Sequence, residues 1–302
     1  MVSRTNATII VIDNLYRGSL EWIQPHLAQG RVEFIKADIR DFEALTEAMR
    51  GSRIVFHLAA LSNVIGASQD LPYSFTTNVV GTFNVLQAAR VQGVERVVFT
   101  SSREVHGEPD AIPVSEDSPL RAKNAYGASK IAAEQYCTVF RENYGLDVRV
   151  LRLANVYGPH DRGRVIPLFC EAFAQGQPLI IYGGQQIIDF VWIGDVVCAL
   201  LDAVQVSEWS GPINVGSGRG TTVLELAHRM RTLIGKPDWR LDLRPPRSVE
   251  VGRFAADVTR MQHCLGWTPN GPALARLADV MVAYDLSPVR RPMASTGLDE
   301  QN

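Results

Sequence analysis

Cysteine is scarce in this chain. Cys137, Cys170, Cys198 and Cys264 are the four in 302 residues, and none falls in the close pairs that build a CxxC-type metal site. No metal is expected, and the thiols read as the reduced cysteines of a cytoplasmic protein rather than a disulfide framework. Long apolar runs are missing too: no stretch reaches the roughly eighteen uncharged residues that a membrane span needs. The front, MVSRTNATIIVID, has neither a long apolar core nor a small-residue cleavage site, so no secretory signal is read there. Charge of one sign is also lacking, because 30 Lys and Arg against 32 Asp and Glu leave a net charge of −2. That balance predicts no attraction to nucleic acid or to an anionic membrane. There are no internal repeats.

What is present is 46% apolar and 21% charged, ordinary for a globular chain long enough for two lobes around a substantial core. TIIVID, VEFIKAD, RIVFHLA, ERVVFTSS and VRVLRLANV read as short buried strands. Helical patterns such as DFEALTEAMRG, SFTTNVVGTFNVLQAARVQG and KIAAEQYCTVFRENYG run between most of them. This alternation predicts an α/β fold with a doubly wound parallel sheet. After Gly158 the rhythm changes: the helix VIPLFCEAFAQG, two apolar runs around a glycine turn (PLIIY, GGQQ, IIDFVWI), the helix DVVCALLDAV and the strand INVGS. The expected organisation is a Rossmann-like domain over residues 1–160 plus about 189–216. A smaller interleaved lobe takes about 161–188 and 217–285, and a disordered tail covers 286–302.

Tyr126 and Lys130 stand four residues apart in AYGASK, 24 and 28 residues after Ser102 of VVFTSS. Helical spacing places the first two one turn apart on one face. Ser102 closes a buried strand. A phenol titrates near ~10 and is a poor base at neutral pH. The spacing predicts that the Lys130 ammonium lowers the Tyr126 pKa while Ser102 fixes a substrate oxygen, a device for taking a proton from a secondary alcohol as hydride leaves its carbon.

At these motifs the chain resembles the extended short-chain dehydrogenase/reductases, the NAD-dependent sugar-nucleotide epimerases and dehydratases. TSSREVHG and YGASK carry the resemblance, which continues through VIDNL, ADIRD, VFHLAA, NVVGTFNVL, LRLANVYGPH, VIPLF, PLIIYGG, IDFVWIGDVV and PPRSVEVGRFAAD, covering roughly residues 8–285. The resemblance implies NAD as cofactor, with Asp13 and Asn14 at the adenosine ribose and Asp38 and Ile39 at the adenine. Asp13 would repel the extra phosphate of NADP. Leu58, Ala59 and Ala60 would let the cofactor approach the backbone, and Tyr126 and Lys130 would meet the nicotinamide ribose. Asn78 would support the catalytic loops beside the cofactor, whereas His57 reads as a packed strand-end histidine. For a nucleoside-diphosphate sugar the resemblance implies Ser102, Glu104, Asn155, Arg164, Val165, Tyr182 (stacked on the base), Arg247 and Glu250. It also implies a homodimer built on the SFTTNVVGTFNVLQAA and Tyr126 helices.

Dinucleotide-binding sheets begin with a strand, a glycine-rich turn and a helix whose N-terminus holds the pyrophosphate. Nothing in the chain supplies that unit. VSRTNA reads as the end of a crossover helix, and only 12 residues precede Asp13, where the acidic residue ordinarily follows the glycines by about 20. Two explanations stay open: Met1 is an internal start, or the protein is degenerate and binds NAD weakly. GSGRG (216–220) reads as a structural turn instead, since Thr222 and Glu225 form a capping box just after it.

Other departures shape the expected reaction. Ile188 stands where many family members place a phosphate-binding Arg, and His106 replaces the Tyr of Val-Tyr-Gly. Arg103 takes the place of the dehydratases' general acid while Glu104 keeps the neighbouring acid. An Arg cannot serve as that acid. The expected activity is therefore a nucleotide-sugar 4-epimerase. A 4,6-dehydratase, a decarboxylase and a 4-ketoreductase are the rivals within the family, and a non-catalytic binding or scaffold protein is the rival outside it.

Overall fold

Short β-branched runs and amphipathic stretches alternate from the front of the chain. In the computed structural model, which describes residues 5–269 and 271–288, β1 (Ile9–Asp13) leads through α1 (Gln24–Ala28) to β2 (Val32–Lys36). Next come α2 (Phe42–Ala48), β3 (Ile54–His57), α3 (Val64–Gln69), α4 (Leu71–Phe75) and, across a π-helical turn at Thr76–Val80, α5 (Gly81–Val91). Asp41 caps α2 by accepting the Ala44 N–H, as a short carboxylate at a helix start does. β4 (Arg96–Ser102), α6 (Ala125–Tyr144) and β5 (Asp147–Leu153) follow.

β3, β4, β5 and β9 (Ile213–Val215) form one parallel sheet in the order β3-β4-β5-β9, and β1 pairs parallel with β2 in a separate one. Among the described residues no strand links β1 to β3, so one edge of each carries no ladder bonds there. The two pieces still share a core: Ile12 and Val55 both pack against the cluster that contains Leu86, Phe99 and Phe140. The α/β parallel architecture is thus as the sequence pattern indicated. Thr5–Ala7, read as the end of a helix, carry none.

Beyond Leu153 the path differs from a single strand over VRVLRLANV. The ladder breaks at Ala154, and β6 (Asn155–Tyr157) joins a different sheet beside β8 (Ile187–Trp192) and β10 (Gly220–Thr222). α7 (Val165–Ala174) precedes β7 (Leu179–Tyr182). The two apolar runs around the glycine turn do not pair with each other: β7 pairs parallel with β11 (Leu241–Arg244), while β8 lies between β6 and β10. α8 (Ile193–Gln205), α9 (Val223–Leu233), α10 (Thr259–Leu265) and α11 (Leu277–Val282) complete the elements. Phe169, Ile181, Leu226, Met230 and Met281 build a second core. A third, with Val98, Leu151, Val191, Ile213 and Phe254, joins the parallel sheet to the later segments. Leu286 packs against the second core, and residues 289–302 of the expected tail lie outside the described residues. No helix among the described residues is long and apolar enough to cross a membrane.

Candidate active site

β4 is buried over its last six residues and ends at Ser102, whose Oγ accepts the Glu104 N–H at 3.2 Å and opens the turn Arg103–His106. α6 is capped by Asn124, whose Oδ1 accepts the Gly127 N–H at 2.8 Å. A Cβ at Gly127 would lie 2.4 Å from the Glu104 carbonyl oxygen. Only glycine lets the first turn of α6 press against the turn after β4, and that contact closes Ser102 onto Tyr126. The Ser102 hydroxyl acts on the Tyr126 phenol and favours its ionised form. Gly127 was not singled out in the sequence, although it lies inside YGASK.

Tyr126 and Lys130 are both buried, one turn apart. The expected electrostatics do not hold. Burial pushes the Tyr126 phenol up to about 12, Arg164's charge and the Ser102 hydroxyl pull it down, and Glu104's charge adds to the rise. Lys130 is not among the groups that lower it. Its Nζ donates instead to the Thr100 carbonyl at 2.9 Å and lies 4.6 Å over the Phe99 ring, 5.9 Å from the centre of Tyr126. The physical reason is burial: Lys130 must satisfy its own ammonium first, and desolvation lowers it to about 8 against the opposing charges of Cys137 and Glu134.

One further turn along α6, Glu134 accepts from Arg152 Nε (3.0 Å) and Nη2 (2.7 Å) and from the Ser101 hydroxyl (2.5 Å). This buried pair ties α6, β4 and β5 together directly beneath Ser102. It spans 18 residues of sequence, and no local pattern announces it.

The turn after Ser102 is also occupied. Arg103 Nη2 lies 2.8 Å from Glu104 Oε1, and Asn124 Nδ2 donates to Glu104 Oε2 at 2.7 Å. His106 stacks on Phe254 with ring centres 6.3 Å apart, and burial together with Arg152 lowers it to about 4, which keeps it neutral.

At the proposed cofactor end, Asp13 Oδ1 accepts the Leu15 N–H at 2.6 Å and Asn14 Oδ1 accepts the Tyr16 N–H at 2.9 Å, a tight turn after β1. Asn14 Nδ2 reaches Asp38 at 2.9 Å, so these three residues do converge. Asp38 also holds Arg40, which keeps its carboxyl well below the usual range. The Ile39 side chain is core: a Cβ on Gly81 would come within 2.5 Å of it, so an adenine contact through that side chain is excluded. Leu58 is 54% exposed, Ala59 exposed and Ala60 half-buried, so core packing does not explain them. Asn78 supports the loop after β3: its amide accepts Leu61 N–H (2.8 Å) and donates to Leu61 C=O (3.2 Å) and Ser129 Oγ (2.9 Å). His57 packs on Phe99 and meets Thr82 Oγ1 at 2.9 Å, as read.

At the substrate end Asn155 opens β6 with its side-chain oxygen buried and unpartnered. Arg164 and Val165 begin α7, and the Arg164 charge is felt by Tyr126. Tyr182, Arg247 and Glu250 form a cluster of their own. Arg247 lies 3.7 Å over the Tyr182 ring and pairs with Glu250 at 3.1 Å, so the ring face read as a base platform is covered by a guanidinium. Asn124, the cap of the Tyr126 helix, connects this segment to the trio through the Val249 carbonyl at 3.2 Å. Ile188 is an apolar member of β8.

GSGRG is a structural turn. Asp189, fully buried, accepts from Ser217 N–H and Oγ (2.8 and 2.6 Å), Gly218 N–H (3.0 Å) and Ala256 N–H (3.0 Å), so a carboxylate fills the cradle that a phosphate would need. The Thr222–Glu225 capping box is present. Asp189 escaped the sequence reading because its partners lie 28 to 67 residues away.

A buried Ser–Tyr–Lys trio at the carboxyl end of a parallel sheet defines a nicotinamide-dependent enzyme of the short-chain dehydrogenase type. The model of the NAD dependent epimerase/dehydratase family matches residues 2–216, and the chain belongs to that family. It is 37% identical over 269 residues to the UDP-glucose 4-epimerase of Mycolicibacterium smegmatis, covering 86% of this chain and 85% of that protein. The solved UDP-glucose 4-epimerase of Thermotoga maritima with UDP-glucose superposes with a TM-score of 0.86 at 29% identity, over 93% of this chain and 91% of that one. A dTDP-glucose 4,6-dehydratase of Streptomyces venezuelae with NAD bound gives 0.89 at 30% identity, over 93% and 88%. The residues are of the kinds that the two ends of NAD need: the Asp13 carboxylate at the end of β1 and the open Leu58–Ala60 strip after β3 for one, the Tyr126 and Lys130 side chains for the other. Among the described residues no glycine turn supplies amides for the pyrophosphate.

Proposed function

We propose that the chain is a nucleotide-sugar 4-epimerase acting on a nucleoside-diphosphate sugar. One observation carries the reading: Ser102, Tyr126 and Lys130 are all buried, with the Ser102 hydroxyl acting on the Tyr126 phenol and Lys130 one turn away. When bound, NAD supplies the acceptor and later donor of the C4 hydride. Once its own proton has left to solvent, Tyr126 Oη takes the proton of the sugar's 4-hydroxyl as a phenolate, and Ser102 Oγ holds that oxygen in place. Lys130 braces the site through the Thr100 carbonyl and offers its remaining N–H groups to the cofactor ribose. After the 4-keto sugar turns over in the pocket, Tyr126 returns the proton to the opposite epimer. Asp13, Asn14, Asp38 and the Leu58–Ala60 backbone would bind the cofactor, whereas Asn155, Arg164, Val165, Tyr182, Arg247 and Glu250 would bind the nucleotide sugar.

Dehydration is disfavoured because Arg103 replaces the general acid and Glu104 is held by two partners. The exposed Val80 of the π-helical turn, Phe83 of α5, and Tyr136 and Val139 of α6 support the expected homodimer, and free thiols support a cytoplasmic setting. Product analysis by NMR, with bound NAD and no added reductant, tests the reaction: a 4-epimer supports it, while a 4-keto-6-deoxy sugar or released carbon dioxide overturns it. Tyr126→Phe should lower kcat about 10²- to 10⁴-fold; near-full turnover would remove Tyr126 as the base.

A further inference from the structure

Arg103 follows Ser102 directly and is only 9% exposed. Nη2 is matched by Glu104 and the guanidinium stands 5.7 Å over Phe254, but Nη1 is buried with no acceptor. The other large buried guanidinium groups behave differently. Arg149 Nη1 donates to the carbonyls of Ala203 and Val206, and Arg152 spends its fork on Glu134 and the Glu116 carbonyl. A buried guanidinium N–H left open is costly, so it is expected where a ligand supplies the missing acceptor. The place is specific. The turn that carries Arg103 is capped by Ser102 and packs on the first turn of α6, where Asn124 holds Glu104 and Gly127 abuts the Glu104 carbonyl. Arg103 directly follows Ser102, the residue proposed above to hold the sugar's 4-hydroxyl oxygen, so the sugar ring is the part of the substrate that its turn meets.

We propose that Arg103 is a specificity-determining residue whose free Nη1 receives a carboxylate carried on the sugar ring, which makes the substrate class a nucleoside-diphosphate hexuronate rather than a neutral hexose. The inference rests on the epimerase reading above and deepens it. A guanidinium fork suits a carboxylate in geometry and charge. Glu104 pairs with one arm of Arg103, and Asn124 holds the other Glu104 oxygen, which leaves the second arm of the guanidinium for a second carboxylate. A sugar hydroxyl at the same point would make a weaker bond.

The test compares UDP-glucuronate with UDP-glucose on the full chain with NAD, by isothermal titration and by turnover. Wild type should favour the hexuronate at least about 10-fold, and Arg103→Gln should lower affinity and kcat/KM for it about 10- to 100-fold, as for a lost charge-assisted hydrogen bond. The same variant should change the hexose less than about threefold, while Arg103→Lys, which keeps the charge and loses the fork, should fall between. Thermal melts of both variants guard against a folding defect. Equal binding of the two sugars by wild type, or an equal loss for both in Arg103→Gln, overturns the role of Arg103 and leaves the epimerase reading intact. If neither sugar binds wild type, the nucleotide-sugar reading fails and this inference falls with it.

Discussion

Replacing Lys130 by Met should stabilise the fold at neutral pH while abolishing turnover. Lys130 is 2% exposed, and burial lowers its pKa from 10.5 to about 8. That drop means the folded state bears about 3 kcal/mol for holding the ammonium below pH 8. Met follows the same unbranched path without the charge but loses the bond to the Thr100 carbonyl, worth about 1–2 kcal/mol. The net gain is about 1–2 kcal/mol at pH 7. The sign follows from proton binding. Below the folded value both states are charged and the cost is complete, and as pH rises from about 8 to 10.5 only the unfolded chain stays charged, so wild type gains stability relative to the variant. By pH 9.5 the two should be about equal (~0 kcal/mol difference), and at higher pH Met should be the weaker. Urea unfolding at pH 7 and 9.5 with an unchanged m-value reads this directly. A variant that is less stable by the same amount at both pH values would refute the claim that Lys130 is a buried charge under strain. A variant that keeps its turnover would refute its place in the site.

Asn78→Ala removes three bonds to Leu61 and Ser129 and should cost about 2–4 kcal/mol. Hydrogen exchange should quicken over residues 58–63, and unchanged exchange there would contradict the positioning role. Gly216→Ala would put a Cβ 2.6 Å from Asp189 Oδ2 and 2.7 Å from Ala256 Cβ, so a thermal melt should show a loss of about 1–3 kcal/mol.

Much of the fold was legible because it is written locally. Apolar runs and helical spacing delivered the parallel strands and their helices, Thr222 announced its cap, and four-residue spacing placed Tyr126 and Lys130 on one face. What escaped is non-local. The break at Ala154, the Glu134–Arg152 pair and the Asp189 hub depend on which strands become neighbours, and an apolar run does not say which sheet it will join. Asn78 was expected to support the catalytic loops, but its partners, Leu61 and Ser129, are 17 and 51 residues away and only the fold names them. The covered face of Tyr182 is similar: Arg247 lies 65 residues further on, and its approach to the ring follows from the pairing of β7 with β11.

Sign, not only position, was beyond the reach of spacing at Lys130. A cation four residues from a phenol lowers its pKa in water, yet here both groups are buried, and desolvation is the larger effect for each. The resting phenol is therefore protonated at neutral pH, and its pull toward the ionised form comes from Arg164, on the element that would hold the nucleotide sugar, and from the Ser102 hydroxyl. Such a site is better at holding a base in reserve than at displaying one. Ionising Tyr126 therefore needs a favourable charge beside it, and Arg164 is the cation that already acts on the phenol. The buried Glu134–Arg152 pair under Ser101 keeps β4 and α6 in register throughout, which leaves that electrostatic change as the part of the site free to vary.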